Sequence, residues 1–189
     1  MQHVSRAVLL LLVPLLLVPG PALADEWPRP PSDGELVRVI DVIDGDTIRV
    51  ERADGTIERV RYIGIDTPEI GHEPGETSEP WAREATDANR RWVEDEQVLL
   101  EHDVSDRDRY DRLLRYVWIE TKGGWLMVNG ELVSLGLADV RAYEPDTRHL
   151  AWLRELEQDA RVAGTGMHGG EPEDERSFLD DILEFIFGT

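Results

Sequence analysis

The chain contains no cysteine and almost no lysine. Lys122 stands alone among twenty basic residues, so the other nineteen are arginines. Without cysteine there is no disulfide framework, thiolate metal site, thiol nucleophile or lipid-modified cysteine. Positive charge is scarce: 20 Lys+Arg face 40 Asp+Glu, for a formal net charge of −20 over 189 residues. That balance argues against a protein that coats nucleic acid or anionic membrane through bulk charge. Histidines 72, 102, 149 and 168 are scattered without HxH or HExxH spacing, which argues against a histidine-built metal centre. At 41% hydrophobic the chain is too apolar to be mainly disordered, and its length suits one domain.

Long apolar runs are nearly absent too. The exception is Val8 to Val18, eleven residues broken only by Pro14, preceded by His3 and Arg6 and followed by Ala22-Leu23-Ala24 before Asp25. This is the pattern of a secretory signal over 1–24, and it is well short of the ~20 residues a spanning helix needs. A cleaved signal predicts a protein that works outside the cytoplasm with no stable membrane insertion, and a monomer is expected. Residues 25–35, with three prolines and no period, read as a linker.

From Leu36 the pattern becomes strand-like. Segments 36–43, 47–51 and 56–65 are β-branched and partly alternating, punctuated by Asp44-Gly45-Asp46 and by Ala53-Asp54-Gly55, a hairpin signal. Residues 66–80 read as an exposed loop. Trp81, Ala85, Ala88, Trp92 and Val93 then recur at helical spacing over 79–95, with Ser78 and Pro80 as a start signal. Strands are expected at 97–102 and 113–119, a turn at Gly123-Gly124, and helices at 129–135 and 147–163. Five or so strands with one helix before the last pair predict a mainly β fold: an OB-type, five-stranded Greek-key barrel with about three packed helices. The tryptophans, at helix and strand spacing, are expected in the core. Residues 171–189 form an acidic tail with an amphipathic pattern, suited either to docking on its own domain or to contacting a partner.

Three charged clusters carry chemistry. Asp44-Gly45-Asp46-Thr47 lies at a turn between two strands. Arg61 to Glu69 closes the third strand, and Asp108-Arg109-Tyr110-Asp111-Arg112 enters the fifth. Asp46 and Asp66, at neighbouring strand ends, are candidate oxygen ligands for a hard divalent cation. Turn acids also occur for conformational reasons alone, and that reading stands beside the first. Arg61, in an otherwise apolar strand, calls for an anionic partner. Arg61 with Arg112 makes a two-fork clamp for a phosphodiester, and Glu69 is placed to act as base toward water. On charge pattern alone, residues 103–112 read as a solvated charged loop.

The strings VIDGDT, RYIGIDTPE and DRYDR, in this order and spacing, with MVNGELVSLGLA at 127–138, resemble the thermonuclease (staphylococcal nuclease-like) family over residues 36–170. The resemblance implies an OB-fold, Ca²⁺-dependent phosphodiesterase acting on DNA and RNA with little sequence specificity and leaving 3′-phosphate ends. It implies Asp46 and Asp66 as Ca²⁺ ligands, with the Thr67 backbone carbonyl, and Asp44 in the outer shell. Glu69 corresponds to the general base, Arg61 and Arg112 to the phosphate-binding arginines, and Tyr110, Tyr143 and neighbouring Arg109 to substrate contacts. The sequence departs from the family at Asp111, where glycine is usual, and at Arg141, where a second pocket tyrosine can occur. Asp is among the residues that best tolerate φ > 0, but it sets a negative charge next to Arg112.

Two other readings remain open: a non-catalytic OB module binding oligonucleotides or a protein, and a calcium-stabilised interaction domain acting through its tail. The charge also needs reconciling with a polyanionic substrate. Arginines 83, 90, 91, 107, 109, 112 and 115 concentrate in one stretch, which predicts a local potential unlike the net. The acid-rich, lysine-poor composition predicts work in high salt. At ~1 M ionic strength the Debye length is ~3 Å, so distant repulsion fades while close contacts persist.

Overall fold

The computed structural model describes residues 27–71 and 76–170. The segments expected as signal (1–24) and acidic tail (171–189) lie outside these. Eight strands and three α-helices follow in the order β1 (Glu35–Val42), β2 (Thr47–Glu51), β3 (Ile57–Tyr62), β4 (Ile65–Asp66), α1 (Ala82–Val93), β5 (Gln97–Glu101), β6 (Leu113–Thr121), β7 (Gly124–Met127), α2 (Val128–Ser134), β8 (Asp139–Val140) and α3 (Leu150–Ala163). A short 3₁₀ turn covers Gly166–His168.

β1, β2 and β3 form the expected antiparallel meander, with Gly55 at φ 83° in the second turn. The sheet runs β3-β2-β1-β5-β6-β7, and a parallel pairing of β3 with β6 closes the first five into a barrel. That closure sets Arg61 opposite Leu114 and Tyr62 opposite Arg115. It brings the end of the third strand beside the charged loop that enters β6. The expected OB-type barrel with packed helices is therefore the fold of this chain.

Alternation in the strands fills the barrel with Val37, Val39, Ile48, Val50, Val60, Leu100, Leu113 and Val117, all nearly inaccessible. Such burial is the main stabilising term, and each large aliphatic contributes roughly 1.5–3 kcal/mol. α1 lays Ala85, Ala88, Trp92 and Val93 against this core. α2 and α3 approach closely because position 130 is glycine: a Cβ there would come within 2.1 Å of the Trp152 ring.

Three local expectations changed. α1 does not start on a Ser78 cap. Trp81 precedes it at φ 68° with no side-chain cap, while Ser78 Oγ accepts the Gly71 N–H at 3.1 Å. Burial of the Trp81 indole, whose Nε1 donates to the Gly170 carbonyl at 2.7 Å, sets the chain's entry instead. Within the segment read as a linker, Trp27 packs edge-on against Trp152 with ring centroids 5.0 Å apart. Trp81, Trp92 and Trp118 are buried as expected, whereas Trp27 and Trp125 are exposed. No helix among the described residues is long and apolar enough to cross a membrane.

Candidate active site

The turn between β1 and β2 is built around its own acids. Asp44 Oδ1 accepts the Asp46 backbone N–H at 3.0 Å, and Ile43 donates to the Thr47 carbonyl at 2.9 Å. Gly45 is required by crowding: a Cβ there would lie 2.7 Å from Thr67 Oγ1 and 2.9 Å from the Ala85 Cβ. The turn is thereby pressed onto both the β4 end and α1. Asn89 of α1 ties it further, donating to the Asp44 carbonyl at 3.1 Å while accepting the Tyr62 hydroxyl at 2.8 Å.

Asp46 is fully buried. Its Oδ2 accepts the Thr67 N–H at 3.0 Å, and its Oδ1 accepts the Thr47 hydroxyl at 3.1 Å and meets the Arg61 guanidinium. The second arm of Arg61 reaches Asp66 Oδ1 at 2.5 Å. Asp46 and Asp66, twenty residues apart in the chain, thus converge on one guanidinium. Arg61 itself is nearly buried, so these carboxylates supply the anionic partner its position demanded. Burial pushes the Asp44 carboxyl above its ordinary range against the pull of Arg61. Glu69 is also pushed up, first by partial burial and then by the negative charge of Asp44.

Across a cleft of about 500 Å³ stand Arg112, Tyr110 and Arg109, with Tyr143 on the rim. Asp108 organises this wall. Its Oδ1 accepts the N–H groups of Tyr110 and Arg112, both at 2.9 Å, and its Oδ2 accepts Arg112 Nε at 2.7 Å. Burial opposes ionisation of Asp108, but these bonds from Arg112 outweigh it and hold the carboxyl below its usual range. Tyr110 is half exposed, with Arg109 stacked over its ring at 4.6 Å and Arg112 at 5.4 Å. The lining of the cleft includes Arg61, Asp66, Glu69, Arg109, Tyr110, Arg112 and Tyr143. Asp44, Asp46 and Thr67 form the buried layer beneath the Arg61–Asp66 side.

Asp111 does adopt φ 64°, the left-handed conformation that glycine takes most easily. Its carboxylate turns to Arg107 Nη1 at 3.6 Å and is 86% exposed, so the added charge pairs with Arg107. Four of the seven arginines in the arginine-rich stretch are paired with acids. Arg90 pairs with Asp87, Arg107 with Glu58, Arg112 with Asp108 and Arg115 with Asp106. These ion pairs also make 103–112 a braced segment rather than a freely solvated loop.

One residue, Asn89, and one contact, that of Arg141 with Asp66, escaped sequence reasoning. Asn89 is a polar residue on the apolar stripe of α1 beside Ala85, Ala88 and Trp92, and that misfit was its signal. Arg141 donates to Asp66 Oδ2 at 2.7 Å, a contact no local pattern encodes.

Among the described residues, no group of three or more His, Asp or Glu gathers into a ready-made ion cage. The donors present are nevertheless hard oxygens, from the Asp46 and Asp66 carboxylates and the Thr67 carbonyl. They suit a hard divalent cation whose remaining ligands are water. The paired guanidinium forks facing them suit a phosphodiester.

An OB-type barrel bearing acids and arginines across one cleft defines a class of domain suited to handling a nucleic acid backbone. A family model described as staphylococcal nuclease homologue matches residues 59–168, more than half of the chain. The chain belongs to that family. It is 36% identical over 130 residues to the thermonuclease of Staphylococcus hyicus, covering 69% of this chain and 73% of that protein. It is 32% identical over 165 residues to the thermonuclease of Staphylococcus intermedius, covering 85% and 95%. Endonuclease YncB of Bacillus subtilis (strain 168) is 39% identical over 121 residues, which cover 63% of this chain and 54% of that protein.

Proposed function

We propose that this protein is a secreted, Ca²⁺-dependent nuclease that hydrolyses DNA and/or RNA with little sequence specificity and leaves 3′-phosphate ends. The observation that carries the reading is the convergence of Asp46 and Asp66 on Arg61, facing Arg112 across the cleft. A cation held by Asp46, Asp66 and the Thr67 carbonyl would supply charge neutralisation at the phosphate. Everything else falls to side chains.

Arg61 and Arg112 grip non-bridging phosphate oxygens and stabilise the charge that builds as a water attacks phosphorus. Their preset orientation matters most here. Asp108 holds Arg112 in place, so little ordering is required when substrate arrives. Glu69, on the cleft and with its proton affinity raised, accepts the proton of the attacking water. The bond to the 5′-oxygen breaks, that oxygen takes a proton from solvent and leaves as a 5′-hydroxyl, and the phosphate stays on the 3′ side. Tyr110 and Tyr143 offer exposed rings against which a sugar or base can rest, which any nucleotide satisfies. Contacts of this kind address the backbone, consistent with weak sequence preference. The apolar run and small-x-small pattern of 1–24 support action outside the cytoplasm.

The test presents single-stranded DNA and RNA to the purified protein with Ca²⁺, with EDTA, and as Arg112→Ala. Loss of one clamping donor is expected to cost about 10²–10³ in rate. Cleavage that stops with EDTA and drops in Arg112→Ala supports the reading. No cleavage under any condition leaves instead a module that binds nucleic acid or protein without cutting.

A further inference from the structure

Asp66 is gripped from both sides. Its Oδ1 takes Arg61 Nη2 at 2.5 Å, and its Oδ2 takes Arg141 Nη2 at 2.7 Å. Each oxygen keeps a second lone pair, but a cation that ligates this carboxylate comes up against a guanidinium on either side. The arginines differ in their capacity to yield. The Arg61 side chain is 10% exposed, also meets Asp46, and lies 3.4 Å from the Ile65 carbonyl. Its withdrawal would strand a fully buried carboxylate, a change that costs several kcal/mol.

Arg141 has no such commitments. Its side chain is 60% exposed, and Asp66 is its one ion-pair partner among the described residues. Its backbone is anchored separately, by N–H donation to the Gly64 carbonyl at 2.9 Å beside the short β4–β8 ladder. The guanidinium can therefore leave Asp66 without disturbing the barrel.

We propose that Arg141 is a built-in competitor for the divalent cation: it caps Asp66 when the site is empty and opposes the ion's binding there. This rests on the reading of Asp66 as a cation ligand. The competition lowers cation affinity at low ionic strength, because an occupied site must either break the pair or hold a third positive charge nearby. Salt screens an exposed pair much more than a buried one. The brake on the site therefore loosens as salt rises, in keeping with a chain of net charge −20 that is nearly free of lysine.

Calorimetric titration of Ca²⁺ alone into the wild-type protein, Arg141→Gln and Arg141→Lys tests this at about 0.05 M and about 1 M salt. Arg141→Gln is expected to bind about three- to tenfold more tightly than wild type at low salt. Arg141→Lys, which keeps the charge, should stay within about twofold of wild type, and the advantage of the Gln variant should shrink at high salt. Tightening is the diagnostic sign, since a residue that merely supported the site would weaken binding when replaced. Ca²⁺ binding that is unchanged or weaker in Arg141→Gln overturns the competitor role while leaving the cation site intact. Absence of Ca²⁺ binding to all three proteins overturns the cation site and the competitor together.

Discussion

Glu131 is a carboxylate where the fold can least accommodate one. It lies in α2 among Val128, Leu132 and Val133 and is 4% exposed, and its carboxylate receives no hydrogen bond or opposite charge from any described residue. Burial alone pushes its carboxyl from the ordinary 4.5 up to about 7. In the unfolded chain the proton leaves near 4.5, while in the folded protein it stays until about 7. Below 4.5 both states are protonated and folding carries no penalty from this group. Between these values stability falls as pH rises, and above 7 the full cost of burying the charge is present.

A shift of that size corresponds to roughly 3 kcal/mol, at 1.36 kcal/mol per pH unit. Glu131→Gln keeps the shape and removes the ionisation. The variant should be more stable than wild type by up to ~3 kcal/mol at pH 8 and nearly equal to it at pH 5. Denaturant unfolding followed by tryptophan fluorescence at intervals from pH 5 to 8 measures this directly. A difference that does not change across that range would refute the reasoning, as would a Gln variant weaker than wild type at pH 8.

Three further outcomes follow from contacts on the page. Gly45→Ala drives a methyl against Thr67 and Ala85 and should cost about 1–3 kcal/mol in thermal or denaturant unfolding, while shifting the Thr67 N–H off Asp46 and lowering cleavage. Glu101→Ala removes the buried acceptor shared by Trp118 Nε1 at 2.8 Å, Arg148 at 3.0 Å and His149 at 3.1 Å. It should destabilise by about 3–5 kcal/mol, more than truncation of any surface ion pair. Nuclease activity should hold or rise from tens of millimolar toward molar salt, and a steep monotonic fall in a salt series would contradict the high-salt reading.

The strands were legible because alternation of β-branched residues, punctuated by Asp-Gly turns, is a local signal. β2 begins and ends as expected, at Thr47 and Glu51, β1 is shifted one residue earlier at both ends, and β5 ends one residue sooner. α3 starts three residues later than its pattern suggested, at Leu150, and the start of α1 was misplaced because Trp81 buries its ring in preference to a Ser78 cap. Arg61, Asp66, Glu69, Arg109, Tyr110, Arg112 and Tyr143 line the cleft, and Asp46 is tied to that lining through Arg61 and to Thr67 through the Thr67 N–H.

The amino-acid order by itself determined the meander, the family and the identity of the acids and arginines. Each of these is carried within short stretches whose chemistry does not depend on distant neighbours. Tertiary structure alone decided which charges meet. The parallel closure of β3 on β6 lays the Arg61 segment beside the loop that holds Arg112, and the β4–β8 ladder sets Arg141 on Asp66 from seventy-five residues away. Burial, which makes Asp46 a fully enclosed carboxylate and Glu131 a reluctant one, exists only once the barrel has closed. An ionisable group's energy depends on what surrounds it in space, and sequence distance does not specify that.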